Sequence, residues 1–129
     1  MTIAEVSEHF GISSDTLRYY EKIGLIPPVK RTSGNIRDYG ETDLNWIEFI
    51  KCMKSAGLSI EVLIEYVQLF MQGDKTIDAR KKILLEQKKQ LVIKMDEMKK
   101  TLDKLNYKIE VYENAVLKKE KELIQSSTI

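Results

Sequence analysis

A mainly α-helical fold is predicted, and three features of the chain predict it. Two short stretches of helical apolar spacing meet at Gly11. A Pro-Pro break and a Ser-Gly-Asn turn follow within 27–35. From 77 to 117 a heptad of apolar residues then runs without a single Gly or Pro.

The elements follow in order. Thr2-x-x-Glu5 is a capping box, and Ile3, Val6 and Phe10 recur at helical spacing behind it. Gly11 ends this first helix as a left-handed cap. Ser13 caps a second helix over 14–23, with Asp15 near its positive dipole end and Gly24 as its stop. Two short helices about a glycine turn make a helix-turn-helix. The second helix divides by face. Leu17 and Tyr20 suit packing on the first helix. Asp15, Arg18, Tyr19 and Lys22 share the opposite side, and the last three are donors of the kind that phosphates and base edges take.

Pro27 and Pro28 forbid helix next. Residues 30–39 read as a small hairpin, a wing, with a Ser-Gly-Asn turn and a short strand carrying Ile36, Arg37 and Tyr39. Thr42 is expected to cap a third helix that ends near 56–57, with Trp46, Phe49, Ile50 and Met53 as its apolar stripe. Ser59 is expected to cap a fourth, carrying Ile60, Leu63, Ile64, Val67 and Met71, and stopped by Gly73. The link at 57–59 is a candidate second wing.

The last third has one theme. Every seventh residue gives Leu84, Leu91, Met98, Leu105 and Tyr112, and the interleaved set gives Lys88, Met95, Leu102, Ile109 and Val116. Only Lys88 breaks the apolar pattern. A helix over 77–117 would reach about 60 Å at roughly 1.5 Å per residue. So narrow a stripe cannot be buried by one helix, which implies a second chain. The expected organisation is a winged helix-turn-helix domain over 1–73, a coiled-coil dimerisation helix over 76–117 and a polar, frayed tail over 118–129.

Composition narrows the function. The 129 residues carry a formal net charge of +1. The totals are therefore silent on nucleic acid, but the distribution is not. Between Arg18 and Arg37 stand Arg18, Lys22, Lys30, Arg31 and Arg37 against one acid, Glu21. A local patch supplies phosphate contacts where the average does not. No apolar run approaches the roughly 18 residues of a membrane span, and the N-terminal residues lack the pattern of a secretory signal. One cysteine, Cys52, excludes an intrachain disulfide and fits a reducing, cytoplasmic setting. His9 has no cysteine or second histidine near it, so no metal site is expected, and no cofactor.

The run Asp15-Thr16-Leu17-Arg18-Tyr19-Tyr20-Glu21-Lys22-Ile23-Gly24-Leu25-Ile26-Pro27, followed by Arg31, Gly34, Arg37 and Tyr39, strongly resembles the MerR family of transcription regulators. The stretch 54–60 resembles that family's join between its third and fourth helices. The motif likeness covers about 1–72, and the architectural likeness 77–117. It implies a homodimer through an antiparallel coiled coil, bound to a pseudo-palindromic promoter whose spacer it distorts for RNA polymerase. By the same analogy Thr16, Arg18 and Tyr19 would touch DNA from the second helix. Arg31, Ser33, Arg37 and Tyr39 would do so from the wing, and Lys54 near the second wing. The heptad positions Leu84, Leu91, Met95, Met98, Leu102, Leu105, Ile109 and Tyr112 would form the dimer seam. The physics is compatible: two readers on a dimer sit whole helical turns apart, about 34 Å or its multiples. Distorting a duplex costs on the order of 1–6 kcal/mol, which two gripping heads can supply.

Cys52 lies at the edge of the third helix's stripe, with no cation on its own face to activate it. Its residue-level reading is a half-buried filler. The resemblance adds another: the single-cysteine, AdhR-like branch of the family responds to aldehydes and thiol-reactive stress, which would make Cys52 a sensor in an activator. Two readings stay open beside this one: a regulator or repressor without thiol sensing, and a coiled-coil interaction module that binds protein. An enzyme is not expected, because nothing in the sequence places a base beside the thiol. Metal sensing would need further cysteines after Cys52, and none follows.

Overall fold

The structure, a computed structural model, describes residues 1–127. It is helical: α1 (Ile3–Phe10), α2 (Ser14–Ile23), α3 (Glu41–Ser55), α4 (Ile60–Met71), a 3-10 turn (Asp74–Thr76) and α5 (Ile77–Ser127). No helix among the described residues is long and apolar enough to cross a membrane.

The first two helices form for the reasons their sequence gives. Thr2 Oγ1 accepts from the Glu5 N–H at 3.2 Å and Glu5 Oε1 accepts from the Thr2 N–H at 3.1 Å, closing the capping box. Ser13 Oγ accepts from the Thr16 N–H at 3.1 Å. Gly11 at φ 66° and Gly24 at φ 83° turn the chain out of α1 and α2 through the left-handed region, where a side chain would be strained. Leu17 and Tyr20 are buried as the wheel predicts, beside Val6 of α1.

The wing is less regular than expected. In place of a strand it has one antiparallel bridge, Arg31 with Arg37. The turn consumes the residues a strand would need. Asn35 donates to the Thr32 carbonyl at 2.9 Å and sits at φ 62°, while the Thr32 N–H reaches back to Ile36 O at 2.7 Å. The caps of α3 and α4 also differ from expectation. Helix α3 begins at Glu41, and its cap is Gly40, two residues before Thr42; the Gly40 N–H donates to Asp43 Oδ2 at 2.9 Å. Ser59 occupies the cap position of α4, but its hydroxyl donates to Glu61 Oε2 at 2.7 Å instead of accepting from the helix.

The buried cluster joins α1, α2, the Pro-containing segment, α3 and α4. On α3 its centre is Ile47 and Ile50, whereas Trp46, Phe49 and Met53 are only partly buried at its margin. Trp46, Phe49, Tyr66 and Phe70 form an aromatic group there, with Trp46 and Phe70 centroids 4.9 Å apart. Leu17 has no exposed surface. Leu17→Ala is expected to cost about 2–5 kcal/mol of stability, read as a fall in the urea midpoint at unchanged slope. An unchanged midpoint would show that α2 is not seated on this core.

The chain divides into two compact units, Met1–Lys88 and Lys89–Ile129. The first therefore extends past the expected end at Gly73 and takes in the first turns of α5. Thr76, which is buried, is the reason: its hydroxyl lies 2.5 Å from the Leu69 carbonyl and 2.8 Å from that of Gly73, and it accepts from Arg80 Nε at 3.1 Å. Arg80 also lies 5.4 Å from the Phe70 ring centre. At its other end α5 does not fray at 118, where a polar tail is expected, but stays helical to Ser127. Lys and Glu dominate 118–122, and both are good helix formers. Residues 128–129 of that expected tail lie outside the described residues.

Candidate nucleic-acid interface

Helix α2 presents its polar side to solvent. Asp15, Arg18, Tyr19 and Lys22 are all exposed, and Tyr19 leaves 55% of its surface uncovered. An aromatic side chain that open, on a face with two cations, is not placed there by packing. Arg18 Nη1 pairs with Asp15 Oδ1 at 2.9 Å, three residues away. Both groups are accessible, so the pair is weak and a phosphate or base edge can displace the carboxylate. Thr16 is partly tied up, its hydroxyl 2.7 Å from that of Ser13 at the start of the helix.

In the wing, Arg31 and Ser33 are exposed, with Arg31 Nη1 donating to the Asn35 carbonyl at 3.2 Å. The other two wing residues are placed differently from expectation. Tyr39 is buried, with 2% of its surface accessible, and its hydroxyl finds no hydrogen-bond partner within the protein. Burial pushes this phenol up. Its side chain is part of the core. Arg37 is half-buried, its Nε 2.6 Å from Glu21 Oε1, with 21% and 14% of the two side chains exposed. Burial pushes the Glu21 carboxyl up, but hydrogen bonds from Arg37 and the Val29 N–H, with the charges of Arg37 and Arg31, outweigh it and hold the carboxyl below its ordinary value. This stabilisation is present above the unfolded carboxylate pKa and disappears as pH falls through the lower folded value. In the sequence Glu21 is marked only as the one acid in a basic stretch.

Lys54 reaches α2, its Nζ 3.2 Å from the Tyr20 hydroxyl and 4.9 Å from that ring's centre. Lys51 Nζ donates to the Phe10 carbonyl at 2.5 Å, a tie from α3 to α1 with no mark in the sequence pattern. Between them Cys52 is exposed, not the half-buried filler its stripe position suggested. The lysines beside it in sequence point elsewhere, as expected. His9 stacks edge-on against Phe10 at 4.7 Å, and no cluster able to hold a metal occurs among the described residues.

On α5, every side chain from Val92 to Gln125 is exposed, and Met95, Met98, Leu102, Leu105, Ile109 and Tyr112 each leave more than half their surface open. Leu84 is exposed and Leu91 partly so. Together these side chains form an exposed apolar stripe along α5.

Comparison with known proteins places these features. Residues 1–84 match the model of the MerR HTH family regulatory proteins. The HTH-type transcriptional regulator AdhR of Bacillus subtilis is 60% identical over 92 residues, which is 71% of this chain and 66% of that protein. This chain thus covers slightly less than two thirds of that relative. A MerR family transcriptional regulator from Listeria monocytogenes superposes with a TM-score of 0.93 at 43% identity, over 99% of this chain and 97% of that one. HiNmlR, a MerR family regulator lacking the sensor domain and solved bound to promoter DNA, superposes with a TM-score of 0.80 at 35% identity, over 88% of this chain and 90% of that one.

Proposed function

The chain belongs to the MerR family, is a DNA-binding transcription regulator and not an enzyme, and from that premise we propose that it works as a homodimer whose promoter activity responds to aldehydes and other electrophiles at Cys52. The dimer forms along the α5 heptad as an antiparallel coiled coil over about 76–117. It holds two heads on a pseudo-palindromic promoter and distorts the spacer for RNA polymerase. In each head Thr16, Arg18 and Tyr19 meet the duplex from α2, Arg31 and Ser33 grip phosphates from the wing, and Lys54 stands at the flank. Arg37 and Tyr39 shape the wing from inside.

The observation that carries this reading is the open Arg18–Tyr19 face of α2 beside a basic wing, in a chain similar to a regulator solved on promoter DNA. Phosphate contacts from such a face position the protein, and base-edge contacts specify the site. Arg18→Ala is expected to weaken binding to a duplex selected by the wild-type protein by about 1–3 kcal/mol. If Arg18 meets a phosphate, the slope of log K against log salt falls by about one per subunit, about two for the dimer, as well. Equal affinity by fluorescence anisotropy would remove α2 from the interface.

Sensing is supported by the exposed thiol and by the likeness to AdhR. Against it stands the engagement of Lys51 and Lys54 with Phe10 and Tyr20, which leaves neither aimed at the sulfur and favours a regulator with an inert cysteine. Mass spectrometry of Cys52 after aldehyde exposure separates the two.

A further inference from the structure

We propose that Glu21 is a positioning residue: it fixes the offset between the reader helix α2 and the wing, and Arg37 serves DNA binding through that carboxylate and not by touching DNA. The inference rests on the DNA-binding reading above. Both oxygens of Glu21 are used. Oε1 accepts from Arg37 Nε at 2.6 Å and Oε2 accepts from the Val29 N–H at 2.8 Å. One carboxylate therefore joins three segments that are 8 and 16 residues apart in the chain: α2, the stretch after Pro27-Pro28, and the wing. The two prolines carry no N–H, so the Val29 amide is the first backbone donor this stretch offers beyond Ile26.

The wing's other bonds do not do this job. The Arg31–Arg37 bridge and the Asp38 N–H to Lys30 carbonyl bond hold the hairpin to itself. The Tyr39 N–H to Met1 carbonyl bond holds it to the residues before α1. Beyond the packing of Tyr39 in the core, the Glu21 carboxylate is the hydrogen-bonded tie, among the described residues, to the helix that carries Arg18 and Tyr19. A charged pair this enclosed has a fixed geometry, unlike the exposed Arg18–Asp15 pair. Reader and wing must meet groove and flanking phosphates together, so a loose offset weakens both sets of contacts.

The proposal opposes simple electrostatics, which makes it testable. Deleting an acid from a DNA-facing head raises its positive charge and should tighten binding. Glu21→Gln keeps the shape but supplies one acceptor oxygen and one donor group, so one of its two donors is left facing another donor. The experiment uses all 129 residues and a duplex selected from a random pool by the wild-type protein. Glu21→Gln is expected to weaken binding about tenfold and to lower the salt slope of the dimer by about two, as Arg31 of each subunit loses its phosphate. Arg37→Met is expected to show the same loss, and the double variant no more than either alone. Equal or tighter binding by Glu21→Gln, or losses that multiply in the double variant, overturns the proposal. Hydrogen exchange of the free protein gives a readout independent of DNA: in Arg37→Met it should quicken across 30–38 while α1 and α2 stay protected. Should Glu21→Gln fail to fold, Arg37→Met decides alone. Lost affinity with unchanged exchange would make Arg37 itself the DNA contact and overturn the tie. A wild-type chain that selects no duplex sinks the DNA reading itself, a different failure.

Discussion

Replacing Leu102 and Leu105 together with Glu is expected to leave the protein monomeric in light scattering at micromolar concentration, and to remove most of its affinity for a two-site duplex. Both leucines sit on the heptad seam and leave 55% and 56% of their surface exposed in the single chain. Burying a leucine is worth about 1.5–3 kcal/mol, and a dimer buries each twice. With about half of each surface left to cover, loss of four such side chains is of the order of 3–6 kcal/mol, before any cost of bringing carboxylates into an apolar seam. At about 1.4 kcal/mol per tenfold, that raises the dissociation constant by at least about two orders of magnitude. Glu is a good helix former, so loss of dimer would not reflect a broken helix. Neither residue belongs to the buried cluster of the head, so α1–α4 should keep their core. A monomer makes roughly half the phosphate contacts, and the salt slope should halve with it. A dimer surviving the double substitution would refute the heptad assignment and with it the two-headed grip.

What the sequence exposed was whatever depends on periodicity and local chemistry. The capping box at Thr2 and Glu5, the left-handed Gly11 and Gly24, the sides of α2 and the unbroken run of α5 all follow from spacing that a chain cannot hide. What it hid depends on which partner a side chain finds across the fold. Arg37 and Tyr39 looked like wing donors because their types and turn context suit phosphates. The position of Tyr39 over the core, and the reach of Arg37 to an acid 16 residues earlier, are tertiary facts. The wing strand dwindled to one bridge because the turn at Thr32–Asn35 needs as many residues as the arms. Lys54 was legible as a cation near α2, but its seat against Tyr20 was not. Gly73, as a helix stop, reads as the end of the head. Thr76 and Arg80 carry the packing further, through hydrogen bonds that no periodicity encodes.

Cys52→Ser is expected to abolish the transcriptional response to an aldehyde such as methylglyoxal while leaving promoter affinity within about twofold. The thiol is exposed and belongs to no core, and serine differs from it by one atom, so the folded state has little to lose. The chemistry needs sulfur. A thiol adds to the carbonyl carbon, forming a carbon–sulfur bond while its proton passes to the carbonyl oxygen, and serine is a far weaker nucleophile at neutral pH. Position explains how an adduct would be felt. Cys52 lies on α3 between Lys51, which holds the Phe10 carbonyl of α1, and Lys54, which holds the Tyr20 ring of α2. Since neither lysine points at the sulfur, an adduct acts only if its bulk reaches past its own side of α3 to one of these two ties, which seat the reader helices. A shift of even 1–2 kcal/mol between two arrangements of the head changes their ratio about fivefold to thirtyfold, enough to alter promoter output. The assay pairs a promoter reporter with intact-mass measurement of the purified protein after aldehyde exposure. A variant that still responds, or a wild-type chain that responds with Cys52 unmodified, reduces the cysteine to a surface residue and leaves the inducer to be sought at the heads or the seam.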